Sequence, residues 1–555
     1  MTPRLARGVA GGAMLIGAIT ILARVTGFAK QYAFAQTIGT NCLATAYATA
    51  NQVPNIIFEV VVGGALAGMV VPVLAGAAAG RSATEPPGGA GVPAGRERVE
   101  WISSALMTWV VVVLVPLGLL TALLAEPIAG LFFGDTLQGC DAGAVTAVAT
   151  RMLVVFAPQI PLYGVAVVLY GVLQSHHRFA SPALAPLVSS VVVIVAYLAF
   201  VPLSDGHTDP AAVPTAAELA LSAGTSLGVL ALVLTVIGPT SGLGLRWRPT
   251  LRFPEGVAAQ ARRLALAGVA ALLAQQAAMI VVLLLSNNAI GNGAIVVYNY
   301  AWAIYLVPYA VLAVPIATSA FPRLSAQAEA GDHGGFVTLA AGTTRAVVLV
   351  SGLAAGVLAA VSGPGAVVFL GFKSDVPAAD FARAVALFAP GLIGYGLIAH
   401  LTRVLYAAGR GRAAATGTVA GWLVVMAAQT VLVPALPDGW KIAGLALGMT
   451  VGMTVGGALL LASVVAARGR GAANGLGRAA LAAVTGGGAG YLAGAAVVAW
   501  LGARGIWPNV GAAVLAAIVA TAAGGLVVAL VDRADARMVA GRLTRGGVPR
   551  GSGGS

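Results

Sequence analysis

The chain has 555 residues, 59% of them hydrophobic and only 9% charged, and a formal net charge of +13. Soluble globular proteins carry about 25% charged residues. This composition therefore excludes a soluble enzyme, and without a basic soluble domain a nucleic-acid partner is not expected. Apolar windows of about 20 residues, each sufficient to cross the hydrocarbon core of a bilayer, recur along the whole chain. The composition predicts an all-α polytopic membrane protein.

Hydropathy predicts about fourteen transmembrane helices, at 10–37, 43–79, 101–133, 143–174, 180–203, 214–239, 261–287, 293–321, 337–370, 382–407, 413–436, 442–466, 479–502 and 508–531. Span two is too long for one straight helix, and we expect it to bend or break at Pro54 or at Gly63 and Gly64. A weak sequence echo places Pro308 of span eight at the position of Pro54, as a corresponding kink.

The arginines are concentrated in alternate loops. Loops on one side hold many of them, among them Arg178, Arg246, Arg248, Arg252 and Arg410, whereas loops on the other side carry mostly aspartates. Cytoplasmic loops of membrane proteins are enriched in Lys and Arg. The bias predicts that both termini lie in the cytoplasm, and it makes the net charge mainly a signal of topology.

An internal repeat relates span four to span ten. At one constant offset, the Phe-Ala-Pro motif at Phe156 recurs at Phe388, and further matches pair Arg151 with Arg383, Tyr163 with Tyr395, Gly164 with Gly396 and Arg178 with Arg410. An even number of spans separates the copies, so the repeats run in the same direction, which is typical of transporters. We predict two six-helix lobes at 1–240 and 241–470, a C-terminal helix pair at 471–535 and a disordered cytoplasmic tail at 536–555.

Two cations interrupt the first apolar span. Arg24 lies near its middle, and Lys30 lies about 9 Å further along the same helix at 1.5 Å per residue. A cation at bilayer depth costs at least ~2.5 kcal/mol, and by default it marks a substrate or ion pathway. Glu59 of span two falls at a depth similar to that of Arg24. Gly27 lies between the cations, where a bend could turn both toward one cavity.

Each of these residues also has an alternative interpretation. Arg24 and Glu59 could form a structural ion pair, which a diphosphate ligand could still open. Lys30 could extend toward the outer interface. Arg403, within two turns of the cytoplasmic end of span ten, is a candidate ligand, with interface anchoring as the favoured alternative. Asn55, next to Pro54, completes the candidate substrate-binding set.

Several segments resemble the MurJ (MviN) family of flippases, which belongs to the multidrug, oligosaccharidyl-lipid and polysaccharide (MOP) exporter superfamily. The matching segments, which span about the first 450 residues, are Ala23–Gly39 (ARVTGFAKQYAFAQTIG), Ala46–Ala75, Gly171–Pro186, Val314–Gln327 and Leu387–Arg410. The resemblance implies fourteen helices in a MOP/MATE-like fold, the first twelve in two lobes around a central cavity. It also implies alternating access, and transport of lipid II to the outer leaflet of the bacterial cytoplasmic membrane.

The family's cationic cavity matches this sequence only in part. Arg24 and Lys30 occupy the two basic positions of its first helix. Many members carry a pair of arginines where this chain has Phe58 and Glu59. Where such members carry an Asp-Arg pair in helix eight, this chain has Trp302-Ala303. Both departures resemble the actinobacterial branch of the family.

Three functions compete. The first is export of lipid II, the undecaprenyl-diphosphate-linked disaccharide-peptide, driven by the membrane potential, because no ATP-binding motif is present. The second is export of another polyprenyl-linked glycan or an amphiphilic drug. The third is a non-transporting scaffold for cell-wall enzymes; catalysis is not expected, because the cytoplasmic loops lack paired carboxylates. The expected partners are lipid II, membrane lipids and cell-wall synthases, without a cofactor.

Two smaller features concern cysteine and histidine. Cys42 and Cys140 both fall on the predicted outer side, where a disulfide can persist, but the sequence leaves their pairing open. His176 and His177 are adjacent in a cytoplasmic loop with no carboxylate or cysteine nearby, which is a poor metal-binding set. We therefore expect no metal site.

Overall fold

The computed structural model describes residues 19, 22–60, 95–134, 137–253, 257–371, 373–533 and 535, and all regular structure within these ranges is helical. Helix α1 covers 22–37. The remaining helices are α2 (Cys42–Phe58), α3 (Gly95–Leu123), α4 (Ala125–Phe133), α5 (Ala142–Phe156), α6 (Gln159–Ser175), α7 (Ala180–Leu203), α8 (Thr215–Ser241), α9 (Val257–Leu285), α10 (Ala294–Pro308), α11 (Val314–Glu329), α12 (His333–Ala360), α13 (Ser362–Leu370), α14 (Ala378–Phe388), α15 (Gly391–Ala407), α16 (Gly411–Ala435), α17 (Lys441–Arg468), α18 (Leu476–Leu501) and α19 (Ile506–Val531). Two π-helical turns, Ser286–Ile290 and Tyr309–Ala313, follow α9 and α10 directly.

The described ranges contain eleven helices long and apolar enough to cross a membrane, or twelve when the bent pair α14–α15 is counted as one span. These twelve coincide with predicted spans three to fourteen, which confirms the prediction of an all-α polytopic membrane protein. Spans one and two run into residues outside the described ranges, as do the predicted kink positions Gly63 and Gly64. The total of fourteen spans therefore stays a prediction.

Several helices begin at short polar side chains that satisfy otherwise unpaired N–H groups. The Asn41 side chain accepts a hydrogen bond from the backbone N–H of Ala44 at the start of α2. Asp141 caps α5 in the same way, and Asp332 caps α12 through the N–H of Gly335. These asparagine and aspartate residues lie in the loops between apolar segments, directly before the helices that they cap.

The chain forms two compact units. Unit 1 comprises Met1–Val297 and Leu370–Val376, and unit 2 comprises Tyr298–Phe369 and Pro377–Ser555. In this division α9 belongs to unit 1, and the helix pair α18–α19 belongs to unit 2. The lobe boundaries drawn from the sequence stay a prediction.

The centre of unit 1 is a buried aromatic cluster with a polar core. The hydroxyl of Tyr47 on α2 forms hydrogen bonds with the hydroxyls of Tyr197 on α7 and Thr225 on α8, at 2.9 and 2.7 Å. The rings of Phe34 and Phe156 pack on that of Tyr47, with centroids 5.0 and 5.6 Å away. Because each buried hydroxyl has a partner, the cluster joins five helices without leaving these three polar groups unsatisfied.

The short segment Leu370–Val376 is held in unit 1 by one threonine. The Thr40 hydroxyl contacts the Ser374 hydroxyl at 2.8 Å and accepts hydrogen bonds from the N–H groups of Asp375 and Val376. Asn292 also donates to the Asp375 carboxylate, at 2.9 Å. We call residues 370–376 the connecting segment, because the chain enters it from unit 2 and returns to unit 2 after it.

In unit 2, the helix pair α18–α19 packs against α12 through small residues. A Cβ added at Gly356 of α12 would lie 2.2 Å from the carbonyl oxygen of Gly487 on α18, so only glycine permits this approach. Close contact through small residues is how helices associate where no hydrophobic driving force operates. Ion pairs fix the ends of this group, with Arg345 bound to Asp535 and Arg478 to Asp532.

The sequence repeat is matched by repeated local geometry. The helix pairs α5–α6 and α14–α15 are each interrupted by an Ala-Pro pair, and both pairs end in the same C-terminal cap. The backbone N–H groups of Arg178 and Arg410 bond to carbonyls five residues earlier, both at 2.8 Å. The residues just before them, His177 and Gly409, both have positive φ, at 59° and 72°. The two copies differ in that α14–α15 is bent by 41°, whereas Ala142–Ser175 is a single candidate span.

Candidate substrate-binding site

The candidate ligands of unit 1 lie on α1 and α2. Arg24 is exposed and Lys30 is half-buried, and both lie on α1, which is helical without a break through Gly27. Asn55 and Glu59 are half-buried, at the end of α2. Without a bend at Gly27, the spacing of six residues places Arg24 and Lys30 about 120° apart around the helix.

Within the described ranges, Arg24, Lys30 and Glu59 form no ion pair. The ion pairs in the described ranges join Arg151 with Glu218, Arg345 with Asp535, Arg383 with Asp380, Lys441 with Asp438 and Arg478 with Asp532. Arg24, Lys30 and Glu59 take part in none of them. The structure therefore does not contain the Arg24–Glu59 ion pair that the sequence left open as an alternative.

The end of α2 departs from regular α-helix at the acidic residue. Residues 59–60 form a π turn, and the N–H of Glu59 bonds to the carbonyl oxygens of both Asn55 and Ile56. Single π turns inside helices are frequent at functional sites. The Asn55 amide nitrogen donates to the carbonyl oxygen of Asn51 at 2.9 Å, which fixes the orientation of its side chain. Pro54 is buried, and α2 continues through it, so it produces no break in this conformation.

Phe58 has a packing role at a position where many members of the resembled family carry arginine. Its ring lies 4.4 Å from that of Tyr163 on α6, centroid to centroid. The aromatic contact explains why the position is compatible with an apolar residue here, and it leaves Glu59 as the only acidic or basic side chain in the described part of α2 and its π turn.

The candidate ligand within unit 2 is Arg403 of α15. Its guanidinium donates to the carbonyl oxygen of Ala399 one turn earlier, at 2.6 Å, and the side chain is half-buried. One turn before it, His400 is fully buried, with its Nε2 atom 3.0 Å from the hydroxyl of Thr343 on α12. Our sequence reasoning missed His400; the only available signal was a single histidine inside an apolar span.

Around Trp302, unit 2 carries aromatic residues in place of the Asp-Arg pair. The Trp302 ring stacks on Tyr305, with centroids 5.4 Å apart and an interplanar angle of 26°, and Tyr395 packs edge-on at 5.9 Å. Pro308 ends α10, and the π turn Tyr309–Ala313 begins immediately after it. Proline has no N–H to continue the α-helical hydrogen bonds, which accounts for the change of helix type at the predicted kink.

The two cysteines are joined. Cys42, at the start of α2, forms a disulfide with Cys140, just before α5, and their Cα atoms lie 5.8 Å apart. This answers the question that the sequence left open. Among the residues with a described placement, no group of three or more His, Cys, Asp or Glu side chains could hold a metal ion.

The repeated arginines within α5 and α14 have structural partners. Arg151 of α5 forms a two-atom contact with the buried carboxylate of Glu218 on α8, with the shortest distance 2.7 Å. Arg383, its repeat partner on α14, pairs with Asp380 and donates to the carbonyl oxygen of Gly439. Both arginines therefore have ion-pair partners, whereas Arg24 has none within the described ranges.

Comparison with known proteins gives consistent matches over most of the chain. The family model described as lipid II flippase MurJ matches residues 34–518. A solved structure of lipid II flippase MurJ in an inward closed conformation is similar in fold, with a TM-score of 0.70 at 17% identity over 94% of this chain and 99% of that chain.

Transporters of the wider superfamily share the fold less closely. An inward-facing multidrug resistance MATE family transporter has a TM-score of 0.61 at 16% identity, over 83% of this chain and 98% of that chain. A MOP superfamily transporter from Pyrococcus furiosus has a TM-score of 0.55 at 14% identity, over 82% and 96%. The family model covers far more than half of the sequence, and the chain therefore belongs to the lipid II flippase MurJ family of multi-pass membrane proteins.

Proposed function

We propose that this protein is a lipid II flippase, which moves the undecaprenyl-diphosphate-linked peptidoglycan precursor from the cytoplasmic to the outer leaflet by alternating access. The observation that supports this best is that Arg24 and Lys30 interrupt an apolar helix without an ion pair in the described part of the chain. An intramembrane cation without a counter-ion is costly, so a ligand that supplies negative charge accounts for its presence.

The chemistry of the cargo fits these side chains. A diphosphate offers several anionic oxygens, and the arginine fork donates two parallel hydrogen bonds to such a group. Lys30 adds a point charge, which needs no fixed direction of approach. We assign Arg24 as the principal diphosphate ligand and Lys30 as a second contact.

Glu59 and Asn55 complete the proposed site in unit 1. The sequence places the Glu59 carboxylate at a depth similar to that of Arg24, and a negative charge there would repel a diphosphate. We assign Glu59 the role of tuning release, with ion coupling as its alternative role. Asn55 is assigned a polar contact, and Arg403 a contact that first has to give up its bond to Ala399. Gly27, Pro54, Gly63, Gly64 and Pro308 are assigned as hinge positions.

The setting follows from charge. Both termini are assigned to the cytoplasm, because the arginine-rich loops share one side with them. An anionic cargo that leaves a negative interior moves down the electrical gradient, by about 2.3 kcal/mol per charge for each 100 mV. We therefore propose export driven by the membrane potential, without catalytic chemistry, with delivery to cell-wall synthases on the outer face.

The test is the leaflet distribution of lipid II in cells depleted of this protein. Wild type supplied back should restore outer-leaflet lipid II. Arg24→Ala should fail, because a lost charged hydrogen bond is worth about 1.5–3 kcal/mol, or roughly 10- to 100-fold in binding. Arg24→Lys should recover only part of the activity, since it keeps the charge and loses the fork.

The matched control is Arg323→Ala, which removes an exposed arginine of α11 that forms no ion pair within the described ranges. It should behave as wild type. Unchanged outer-leaflet lipid II in depleted cells that have no second flippase would exclude lipid II as the cargo. Competition binding with other polyprenyl-linked glycans and amphiphilic drugs would then identify the class that is carried.

A further inference from the structure

The loop between α8 and α9 is strongly basic. Residues 246–253, which we call the basic strap, contain Arg246, Arg248 and Arg252 and no acidic residue. The strap has no helical structure. Loops of this kind usually owe their position to contacts with a neighbouring element, and here that element is α3 in the same unit.

One face of α3 holds the backbone of the strap by four hydrogen bonds. The indole N–H groups of Trp101 and Trp109 donate to the carbonyl oxygens of Arg252 and Leu251, at 2.7 and 3.0 Å. The hydroxyl oxygens of Ser104 and Thr108 accept from the N–H groups of Arg248 and Thr250, both at 3.1 Å. The helical positions i, i+3, i+7 and i+8 lie on one side of a helix. The strap is therefore a fixed part of unit 1.

Apolar contacts anchor both ends of this segment. Leu243 and Leu245, just before the strap, and Phe253 at its end pack against the buried cluster that includes Val99 and Ile102 of α3. The backbone and the apolar side chains are thus bound to the protein. The arginine side chains take part in none of these contacts.

The guanidinium groups of the strap lie at the surface of the protein. Arg246, Arg248 and Arg252 are all exposed, and none forms an ion pair with any residue whose placement is described. Glu97, in the first turn of α3, forms no ion pair with these arginines. Three unpaired positive charges on a fixed backbone form a preorganised anion-binding surface.

Three exposed indoles place this surface at the edge of the membrane. Trp101, Trp109 and Trp247 are 39%, 42% and 39% exposed. The candidate span that contains α3 begins at Glu97, so the strap packs along the first turns of a helix long and apolar enough to cross a membrane. Tryptophan is enriched at the level of the lipid head groups. Binding of a soluble acidic protein would not require three exposed indoles. At a lipid surface, these indoles would lie among the head groups.

We propose that the basic strap binds the head groups of anionic phospholipids in the leaflet that it faces. The arginines bind the lipid phosphates, the indoles lie among the head groups, and α3 holds the strap in the conformation that presents all three charges together. This site is separate from the proposed cargo site on α1 and α2. Its occupant is a lipid of the surrounding membrane.

The test uses the full chain, purified in a neutral detergent and titrated with phosphatidylglycerol, with phosphatidylcholine as the uncharged comparison. Native mass spectrometry reports the lipid-bound fraction. Basic residues near an anionic surface contribute about 1 kcal/mol each, or roughly fivefold in affinity. The combined variant Arg246→Gln, Arg248→Gln, Arg252→Gln should weaken phosphatidylglycerol binding by about 100-fold and leave phosphatidylcholine binding unchanged.

A matched variant removes the same charge elsewhere. Arg410, Arg412 and Arg470 are exposed arginines elsewhere in the chain, and their replacement by glutamine should change phosphatidylglycerol binding by less than about threefold. Equal losses in the two triple variants would overturn the proposal, because binding would then depend on net charge alone. Equal affinity of wild type for the two lipids would overturn it as well.

A second variant keeps every charge and releases the strap. Ser104→Ala combined with Thr108→Ala deletes the two acceptors of the strap backbone. Phosphatidylglycerol binding should weaken about tenfold, as the arginines lose their fixed spacing. Full affinity in this variant, with an unchanged melting temperature, would show that α3 does not organise the site. None of these measurements depends on transport of the cargo.

Discussion

Arg24 and Lys30 lie within α1 and Glu59 follows α2, so all three charged side chains belong to apolar segments. A charge inside an apolar span is visible without a structure, because its cost is large compared with that of a charge in a loop. Whether two such charges neutralise each other depends on the directions of their side chains around two helices. Only the structure shows that Arg24 and Glu59 form no ion pair, which favours a ligand as the counter-ion.

Gly39 is a single residue on which the connecting segment depends. It has φ of +89°, and an added Cβ would lie 1.9 Å from the carbonyl oxygen of Lys373. Gly39→Ala should therefore destabilise the protein by about 2–4 kcal/mol, from backbone strain and displacement of the connecting segment. Thermal unfolding in detergent, followed by tryptophan fluorescence, measures the change.

Gly27→Ala provides the matched control for Gly39→Ala and also tests the proposed hinge. Nothing lies within 4 Å of a Cβ added at Gly27, and alanine favours the helix, so the melting temperature should stay the same or rise. If Gly27 is a hinge, lipid II export should nevertheless fall. A loss of stability as large as that of Gly39→Ala would contradict the contact geometry of α1.

At the level of elements, the caps of α6 and α15 offer a comparison within one chain. The equivalent positions His177 and Gly409 both have positive φ, a conformation that glycine adopts readily and histidine does not. His177→Gly should stabilise the protein by about 1 kcal/mol, and Gly409→Ala should destabilise it by about the same amount.

These two substitutions should shift the melting temperature in opposite directions under identical conditions. A control pair at exposed positions outside the caps, such as Thr416→Ala and Thr430→Ala, should move it little. Shifts of the same sign at His177 and Gly409 would show that the repeated caps are not energetically equivalent, in spite of their equal hydrogen-bond lengths.

The repeat also explains which elements the sequence predicted well. The Phe-Ala-Pro motifs located both helix pairs, because proline cannot continue the hydrogen bonds of a preceding helix. The 41° bend of α14–α15, in contrast to the single span Ala142–Ser175, could not be predicted, since identical motifs occur in both. The basic strap was identified as a basic loop, but the side chains of α3 that hold it lie more than a hundred residues away.

At the level of the whole molecule, the disulfide covalently links two positions that are far apart in the sequence. Cys42 and Cys140 are separated by 98 residues, and the cross-link restricts the unfolded chain. In the chain-entropy account, a closed loop of this size contributes roughly 4–5 kcal/mol. The double variant Cys42→Ser, Cys140→Ser should have a lower melting temperature than wild type. A reductant should lower the melting temperature of wild type and leave that of the variant unchanged. Equal sensitivity of both proteins to the reductant would contradict the prediction.

The proposed source of driving force is also a property of the whole molecule. If an anionic cargo moves outward and a cationic empty site returns, both half-cycles transfer charge in the favourable direction across an interior-negative membrane. Each charge that crosses the full potential is worth about 2.3 kcal/mol per 100 mV, or close to 50-fold in an equilibrium constant.

In vesicles with oriented protein, a potassium diffusion potential set by valinomycin should accelerate lipid II export when the cargo side is negative. Reversing its sign should slow export. Equal rates with and without the potential, together with acceleration by a pH gradient alone, would point instead to proton coupling, for which Glu59 is the candidate.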